Sequence, residues 1–225
     1  MLKKNTIFLS FNSQKELDSN AVKFIVDKAG RAIKERGSFS IVLSGGTTPV
    51  NIYKLLAKKK IDFSRWYIYF GDERCFSSDH PERNSFVAKS VWLSKVNISK
   101  SNIFIIPAEL GNIEASLAYE KLLDVNKSFD LVILGLGDDG HVASLFPNHK
   151  WDNDKQVIPV TNSPKAPSDR VSLTSSRLSN SEDILFLISG KSKSNAFKKW
   201  KEGGDLPVDL ITANHQILIM SFDVL

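Results

Sequence analysis

Short apolar runs rich in β-branched and aromatic residues recur along this chain, and segments with helical periodicity lie between them. Several runs are almost continuous in Val, Ile, Leu and Phe, which is typical of strands covered on both faces of a parallel sheet. Strands that alternate with helices predict an α/β fold with right-handed crossovers. The predicted strands lie at residues 6–11, 39–44, 66–71, 102–107, 130–137, 156–161, 170–174, 183–189 and 216–222.

The segment between the first two strands carries the clearest helix signals. Ser13 followed by Glu16 is a capping-box pattern, apolar residues then recur at helical spacing, and Gly37 is a typical C-terminal stop. No linker, internal repeat or low-complexity segment interrupts the sequence, so we expect one domain over residues 1–225. Further helices are expected at about 49–59, 84–95, 113–125, 191–201 and 207–213.

The composition argues against several classes of protein. The 225 residues are 42% hydrophobic and 24% charged, which is ordinary for a globular chain. The single cysteine, Cys75, cannot form an intrachain disulfide, and the N-terminal residues look like a strand rather than a signal peptide. No apolar run approaches the roughly 20 residues that span a membrane. The net charge is +5, but the lysines are dispersed and form no basic stripe, so we expect neither nucleic acid nor membrane as a partner.

Four unusual segments directly follow predicted strands: SGGTTP, GDERCF, GLGDDGH and GKSK. Ligands of open α/β sheets bind beyond the carboxyl ends of the strands, so these segments are expected to meet at one edge. The first segment combines a glycine turn with a helix N-terminus, which can bind an anion, although a plain turn with a threonine cap explains it equally well. Its candidate ligand residues are Ser44, Gly45, Gly46, Thr47 and Thr48.

The GDER segment places charged residues at the end of a strand. Arg74 is suited to bind a phosphate or to stabilise an oxyanion, and Asp72 is suited to orient it. A solvated turn with local ion pairs is the ordinary alternative for adjacent charges. Two further cations at the edges of elements, Arg170 and Lys193, are candidates for holding a phosphate, although each alone resembles an ordinary surface charge.

The segment LGLGDDGHVASLFP, residues 134–147, is the most specific. His141 titrates near neutral pH and can accept and return a proton, and Asp139 is suited to orient its ring. The alternative is an Asp-Gly turn with a surface histidine, but the turn follows a predicted buried strand, which favours a functional role. The other histidines have no partners at metal-ligand spacing, so no metal site is predicted.

These segments, together with DHPERN, APSDRVSLT and DLPVDLI, resemble those of 6-phosphogluconolactonases in order and spacing over almost the whole chain. The resemblance implies a Rossmann-like fold with an open, mainly parallel sheet and helices on both faces. It also implies hydrolysis of 6-phosphoglucono-1,5-lactone in the pentose phosphate pathway, without a cofactor or a metal. The single cysteine and the strand-like N-terminal residues lead us to expect a cytoplasmic location. The implied catalytic residues are His141, Asp139 and Arg74. The sequence departs from the family pattern at Arg83 and in LPVDL, which puts the flanking loop and the last helix in question.

Two other functions remain open at this point. One is an amino-sugar-phosphate deaminase or isomerase of the same wider family, although GDER and SLFP both favour the lactonase. The other is a non-catalytic sensor that binds a sugar phosphate, which would not require Asp139 and His141. For any of these, we expect a monomer or a small homo-oligomer.

Overall fold

A computed structural model describes residues 2–124 and 126–224. The strands are β1 (Thr6–Phe11), β2 (Phe39–Leu43), β3 (Trp66–Phe70), β4 (Asp72–Arg74), β5 (Phe129–Leu134), β6 (Val157–Val160), β7 (Arg170–Leu173), β8 (Ser181–Ser189) and β9 (Gln216–Phe222). The centre of the fold is a six-stranded sheet in the order β1-β9-β8-β5-β2-β3, in which every neighbouring pair is parallel. This confirms the predicted α/β class with a mainly parallel sheet.

Helices cover both faces of this sheet. In β8, the ring of Phe186 packs on Trp200, whereas the Ser189 hydroxyl donates to the side chain of Gln14. Because side chains alternate along a strand, the helices that carry Trp200 and Gln14 lie on opposite faces. No helix among the described residues is long and apolar enough to cross a membrane. The helices are α1 (Gln14–Arg36), α2 (Thr47–Leu56), α3 (Asn84–Val91), α4 (Asn112–Glu120), α5 (Ser175–Ser179) and α6 (Ser194–Glu202).

A second, antiparallel sheet in the order β4-β7-β6 stands beside the first, and α4 packs against it. The sequence does not reveal β4, because Gly71 separates it from β3 by only one residue. In the register of β4 with β7, Arg74 lies directly opposite Arg170. The small sheet therefore carries two predicted site residues to the same place, next to the carboxyl ends of the large sheet.

Three predicted elements are wrong or too long. Residues 102–107 form no strand, since only one bridge joins Ile103 to Ile68 and Pro107 lacks the N–H that a ladder needs. The helix predicted at 207–213 is a single 3-10 turn, Pro207–Leu210, because the backbone N–H of Thr212 bonds to Ser179 instead. The strand predicted at 130–137 ends at Leu134, where the glycine-rich turn begins.

The long first helix follows the sequence signals closely. The Ser13 hydroxyl accepts from the Glu16 N–H at 3.2 Å, and Gly37 closes the helix with a φ of 80°. The other helices differ from prediction mainly at their ends. The end predicted at residue 125 for α4 lies outside the described residues, and the short α5 was not predicted.

Candidate active site

The predicted site residues converge on one cleft of about 390 Å³ at the carboxyl ends of the large sheet. Its walls come from the turns after β2, β5 and β8 and from the small sheet. The cleft also contains residues that the sequence interpretation missed, among them Asn84 and Lys165. Of the predicted residues, the cleft is lined by Ser44, Gly45, Gly46, Thr47, Thr48, Asp72, Arg74, His141, Arg170 and Lys193.

Asp139 is not among the cleft-lining residues, but it contacts His141, which does line the cleft. The imidazole Nδ1 lies 2.5 Å from the Asp139 carboxylate, which also accepts the backbone N–H of His141 at 3.2 Å. The Phe146 ring packs against the imidazole with 4.7 Å between ring centroids. No hydrogen bond to Nε2 occurs among the described residues. The ring is thus held from one side, and its other nitrogen remains available to a ligand.

The protonation states follow from this environment. Burial lowers the pKa of His141 below its ordinary value of 6.5, although Asp139 opposes the shift. Burial works to raise the pKa of Asp139, but the charge and hydrogen bonds of His141 outweigh it and leave that pKa below its usual range. An ionised carboxylate can only accept, so the proton of neutral His141 resides on Nδ1. Nε2 is then a free base at neutral pH.

Gly137 makes room for this pair. A Cβ at this position would lie 2.0 Å from the His141 Nδ1 and 2.6 Å from the Asp139 carboxylate. The backbone N–H of Gly137 donates to the His141 carbonyl at 2.8 Å, and this bond closes the turn. Any larger residue here would displace the two side chains, so the glycine-rich sequence is needed for the contact itself.

The SGGTTP turn leaves the start of α2 without a side-chain cap. Gly46 is the N-cap of α2, and no side chain among the described residues bonds to the first N–H groups of that helix. The Tyr53 hydroxyl accepts the Ser44 N–H at 3.0 Å and donates to the Ser44 carbonyl at 2.8 Å, which fixes the turn. The threonine cap that the sequence allowed is therefore not formed. The exposed N–H groups and the helix dipole favour a bound anion.

Asp72 does not orient Arg74 as predicted. Its carboxylate instead accepts from the Ser144 hydroxyl at 2.6 Å and from the Asn84 amide at 3.1 Å. The guanidinium of Arg74 donates to the Glu82 carbonyl at 2.5 Å. The prediction failed because Asp72 lies beside two polar side chains that arrive from distant segments, α3 and the turn after β5.

Asn84 joins Asp72 to the glycine turn. A Cβ on Gly45 would lie 2.1 Å from the Asn84 side-chain oxygen, so the turn and this amide are in close contact. Glu73, which is fully buried, holds the start of α3 by accepting the N–H groups of Asn84 and Ser85 at 2.7 and 2.8 Å. The only sequence signal for Asn84 was its place in the DHPERN segment.

Arg83, the residue that departs from the family pattern, has a structural role. It is 1% exposed and lies 3.6 Å from the buried carboxylate of Glu73. Its guanidinium also contacts Glu109 at 2.6 Å and the Ile106 carbonyl at 2.7 Å. It therefore ties the loop before α3 to the segment at 106–109 and does not enter the cleft.

Arg170 and Lys193 are in the cleft, but both are already engaged. Arg170 donates to backbone carbonyls of the loop before β7, at distances from 2.9 to 3.3 Å. Lys193 pairs with Asp138, whose pKa this contact lowers. Asp138 was not among the predicted site residues, so this partner was missed.

No group of three or more potential metal ligands occurs within residues 2–124 and 126–224. Cys75 is half-buried, and burial raises the pKa of its thiol to about 11. The thiol is therefore protonated at neutral pH and is a poor nucleophile. The neutral imidazole of His141, which lines the cleft, is a better candidate for a catalytic group than the Cys75 thiol.

Known proteins share this sequence pattern. A family described as glucosamine-6-phosphate isomerases/6-phosphogluconolactonase matches residues 12–220. A chloroplastic protein of Arabidopsis thaliana named 6-phosphogluconolactonase 3 is 33% identical over 88% of this chain and 67% of its own length. A protein of Nostoc sp. named 6-phosphogluconolactonase is also 33% identical, over 80% of this chain and 78% of its own.

Solved structures share the fold. The crystal structure of 6-phosphogluconolactonase from Thermotoga maritima superposes with a TM-score of 0.90 at 28% identity, covering 96% of this chain and 99% of that one. A monomeric glucosamine-6-phosphate deaminase superposes with a TM-score of 0.83 at 23% identity, over 96% of this chain and 97% of that one, and this shows the fold alone. With the family pattern matched from residue 12 to residue 220, the chain belongs to the glucosamine-6-phosphate isomerase/6-phosphogluconolactonase family.

Proposed function

We propose that this protein hydrolyses 6-phosphoglucono-1,5-lactone to 6-phosphogluconate, in the oxidative pentose phosphate pathway. The observation that carries the proposal is the contact between His141 and Asp139 on the wall of a cleft that also contains the uncapped start of α2. The His141–Asp139 pair supplies a base, and the start of α2 binds an anion. Hydrolysis of a phosphorylated lactone requires both. The relatives named as 6-phosphogluconolactonases support the same substrate.

In the proposed reaction, Nε2 of His141 removes a proton from a water molecule as its oxygen attacks C1 of the lactone. The carbonyl becomes a tetrahedral oxyanion, which then collapses with cleavage of the bond between C1 and the ring oxygen. His141 returns the proton to that oxygen, which becomes a hydroxyl. Asp139 holds the ring and stabilises the imidazolium that forms in between, as a carboxylate does in hydrolase triads.

Arg74 is proposed to stabilise the oxyanion or to fix the substrate. Among the described residues its guanidinium donates only through Nη1, to the Glu82 carbonyl, so the other terminal nitrogen of this cleft-lining side chain can donate to a ligand. A lactone is an activated ester, so the reaction needs no covalent intermediate and no group beyond those in the cleft. The phosphate is expected at the SGGTT turn, where Ser44, Thr47 and Thr48 surround the start of α2.

The direct test is a paired assay on the purified protein. Base-consuming titration follows acid release from the lactone and is compared with the spontaneous rate, while a second assay follows ammonia release from glucosamine 6-phosphate. We expect lactone hydrolysis well above background and no ammonia. Ammonia release without lactonase activity would instead identify a deaminase, and binding without either reaction would identify a sensor.

We also propose that the chain forms a single domain, that it acts as a monomer or a small homo-oligomer, and that it is located in the cytoplasm. One relative is named as chloroplastic.

A further inference from the structure

Four cationic side chains line the cleft, and they differ in what they already contact. The guanidinium of Arg74 donates to a carbonyl, Arg170 bonds to the loop before β7, and Lys193 pairs with Asp138. The ammonium of Lys165 has no hydrogen bond or ion pair with any described residue. Within the part of the chain that the structure describes, it forms no ion pair, unlike Lys193, and its side chain donates to no carbonyl, unlike the two arginines, so all of its N–H donors are available to a ligand.

The backbone of Lys165 is nevertheless fixed. Arg170, which is 4% exposed, donates to the carbonyls of Lys165, Ala166 and Pro167. The Ser163 hydroxyl donates to the Lys165 carbonyl as well, at 2.8 Å. A side chain that is exposed on an anchored backbone loses less freedom on binding than one on a loose loop, which favours affinity.

We propose that Lys165 binds the phosphate of the substrate and that Arg170 is the positioning residue that presents it. The inference rests on the proposed function and gives Arg170 a different role from direct phosphate binding. A lysine ammonium suits a phosphate as a compact point charge. The uncapped N-terminus of α2, in the same cleft, supplies N–H donors for the other phosphate oxygens.

The position of Lys165 relative to His141 supports an anionic partner. The ammonium is close enough for its positive charge to oppose protonation of His141. An unpaired ammonium would therefore disfavour the imidazolium that general-base catalysis requires. A bound phosphate dianion would cancel this contribution of Lys165, whereas burial, the larger cause of the lowered pKa of His141, would remain.

The test compares Lys165→Ala with Lys23→Ala, which removes an exposed lysine of α1 outside the cleft and changes the net charge equally. Hydrogen bonds to charged groups contribute about 1.5–3 kcal/mol, so KM for the phosphorylated lactone should rise about 10- to 100-fold in Lys165→Ala only. Lys165→Arg keeps the charge and should recover part of the loss. Because the side chain is exposed, thermal unfolding should be unchanged.

Calorimetric binding of 6-phosphogluconate and of inorganic phosphate separates this inference from the proposed function. A wild-type protein without lactonase activity would refute the proposed function. In that case, weaker binding of both anions by Lys165→Ala than by wild type would still support an anion site at Lys165. Equal anion affinity in wild type and Lys165→Ala, or no binding to wild type, would overturn the inference. So would a lower kcat with unchanged KM, since that would place Lys165 at the reacting carbon.

Discussion

The Nδ1 of His141 lies 2.5 Å from the Asp139 carboxylate, two residues earlier in the same turn. The contact depends on local backbone geometry rather than on distant packing, since Gly137 leaves the space and the Asp139 carboxylate also accepts the His141 N–H. A short sequence therefore encodes the whole pair, and the remaining elements of the fold bring the uncapped start of α2 into the same cleft.

Replacing Asp139 by Asn should lower kcat strongly while the protein stays folded. The amide cannot stabilise the imidazolium, and it permits the wrong tautomer of His141 by donating to Nδ1. We expect a loss of about 10²-fold or more, the scale of general acid–base assistance. Steady-state kinetics with the phosphorylated lactone measures this, and an unchanged kcat would mean that Asp139 has no role in the reaction.

The pH profile should show that His141 acts as a neutral base. Burial lowers the pKa of His141, so kcat/KM should rise with pH and level off with a midpoint below 6.5. Asp139 opposes that shift, so in Asp139→Asn the midpoint should move to still lower pH. The substrate phosphate titrates near pH 6 as well, but it is common to both proteins, and the difference between their midpoints isolates His141. A midpoint that moves upward would contradict this account.

Gly137→Ala should disrupt the pair without removing either side chain. The new Cβ would lie within 2.0–2.6 Å of the ring and the carboxylate, so both must shift. We expect a loss of kcat at least tenfold, because small displacements of catalytic groups can cost about 10²-fold. Gly30→Ala is the matched control, because Gly30 lies in α1 with nothing within 4 Å of the added carbon. Equal activity of the two variants would show that the turn tolerates a side chain.

Arg83→Met should destabilise the protein, because it leaves the Glu73 carboxylate buried without its cation. Breaking a buried ion pair by removing one partner typically costs about 3–5 kcal/mol. Lys127→Met removes one partner of an exposed pair, Lys127 with Asp124, and should leave the urea midpoint nearly unchanged. Urea unfolding of both variants measures the contrast, and a similar midpoint in the two would contradict the structural role of Arg83.

Sequence patterns predicted the parts of this protein that depend on local chemistry. The strands of the large sheet are continuous apolar runs, and the cap of α1 at Ser13 has its own signature. The strand predicted at 102–107 failed because an apolar run cannot by itself distinguish a strand from an extended segment with one bridge. The glycine-rich turn predicted the pairing of His141 with Asp139 because both residues lie within it.

The rest of the site depends on contacts between distant segments. Asp72 bonds to Asn84 and Ser144, twelve and 72 residues away, and no local pattern encodes those partners. Lys165 was not among the predicted site residues; it lies in the loop before β7, whose backbone Arg170 anchors, and that loop places it on the cleft wall. Sequence patterns thus identified the strand ends that hold the site residues, but not which polar and charged side chains contact one another there.

The most direct test of the central claim is the rate of 6-phosphoglucono-1,5-lactone hydrolysis by folded His141→Ala, corrected for spontaneous hydrolysis and compared with wild type. If His141 is the general base, kcat should fall by about 10²–10⁴-fold, while circular dichroism and 6-phosphogluconate binding remain close to wild type. Turnover near the wild-type rate in a folded His141→Ala protein would contradict the account.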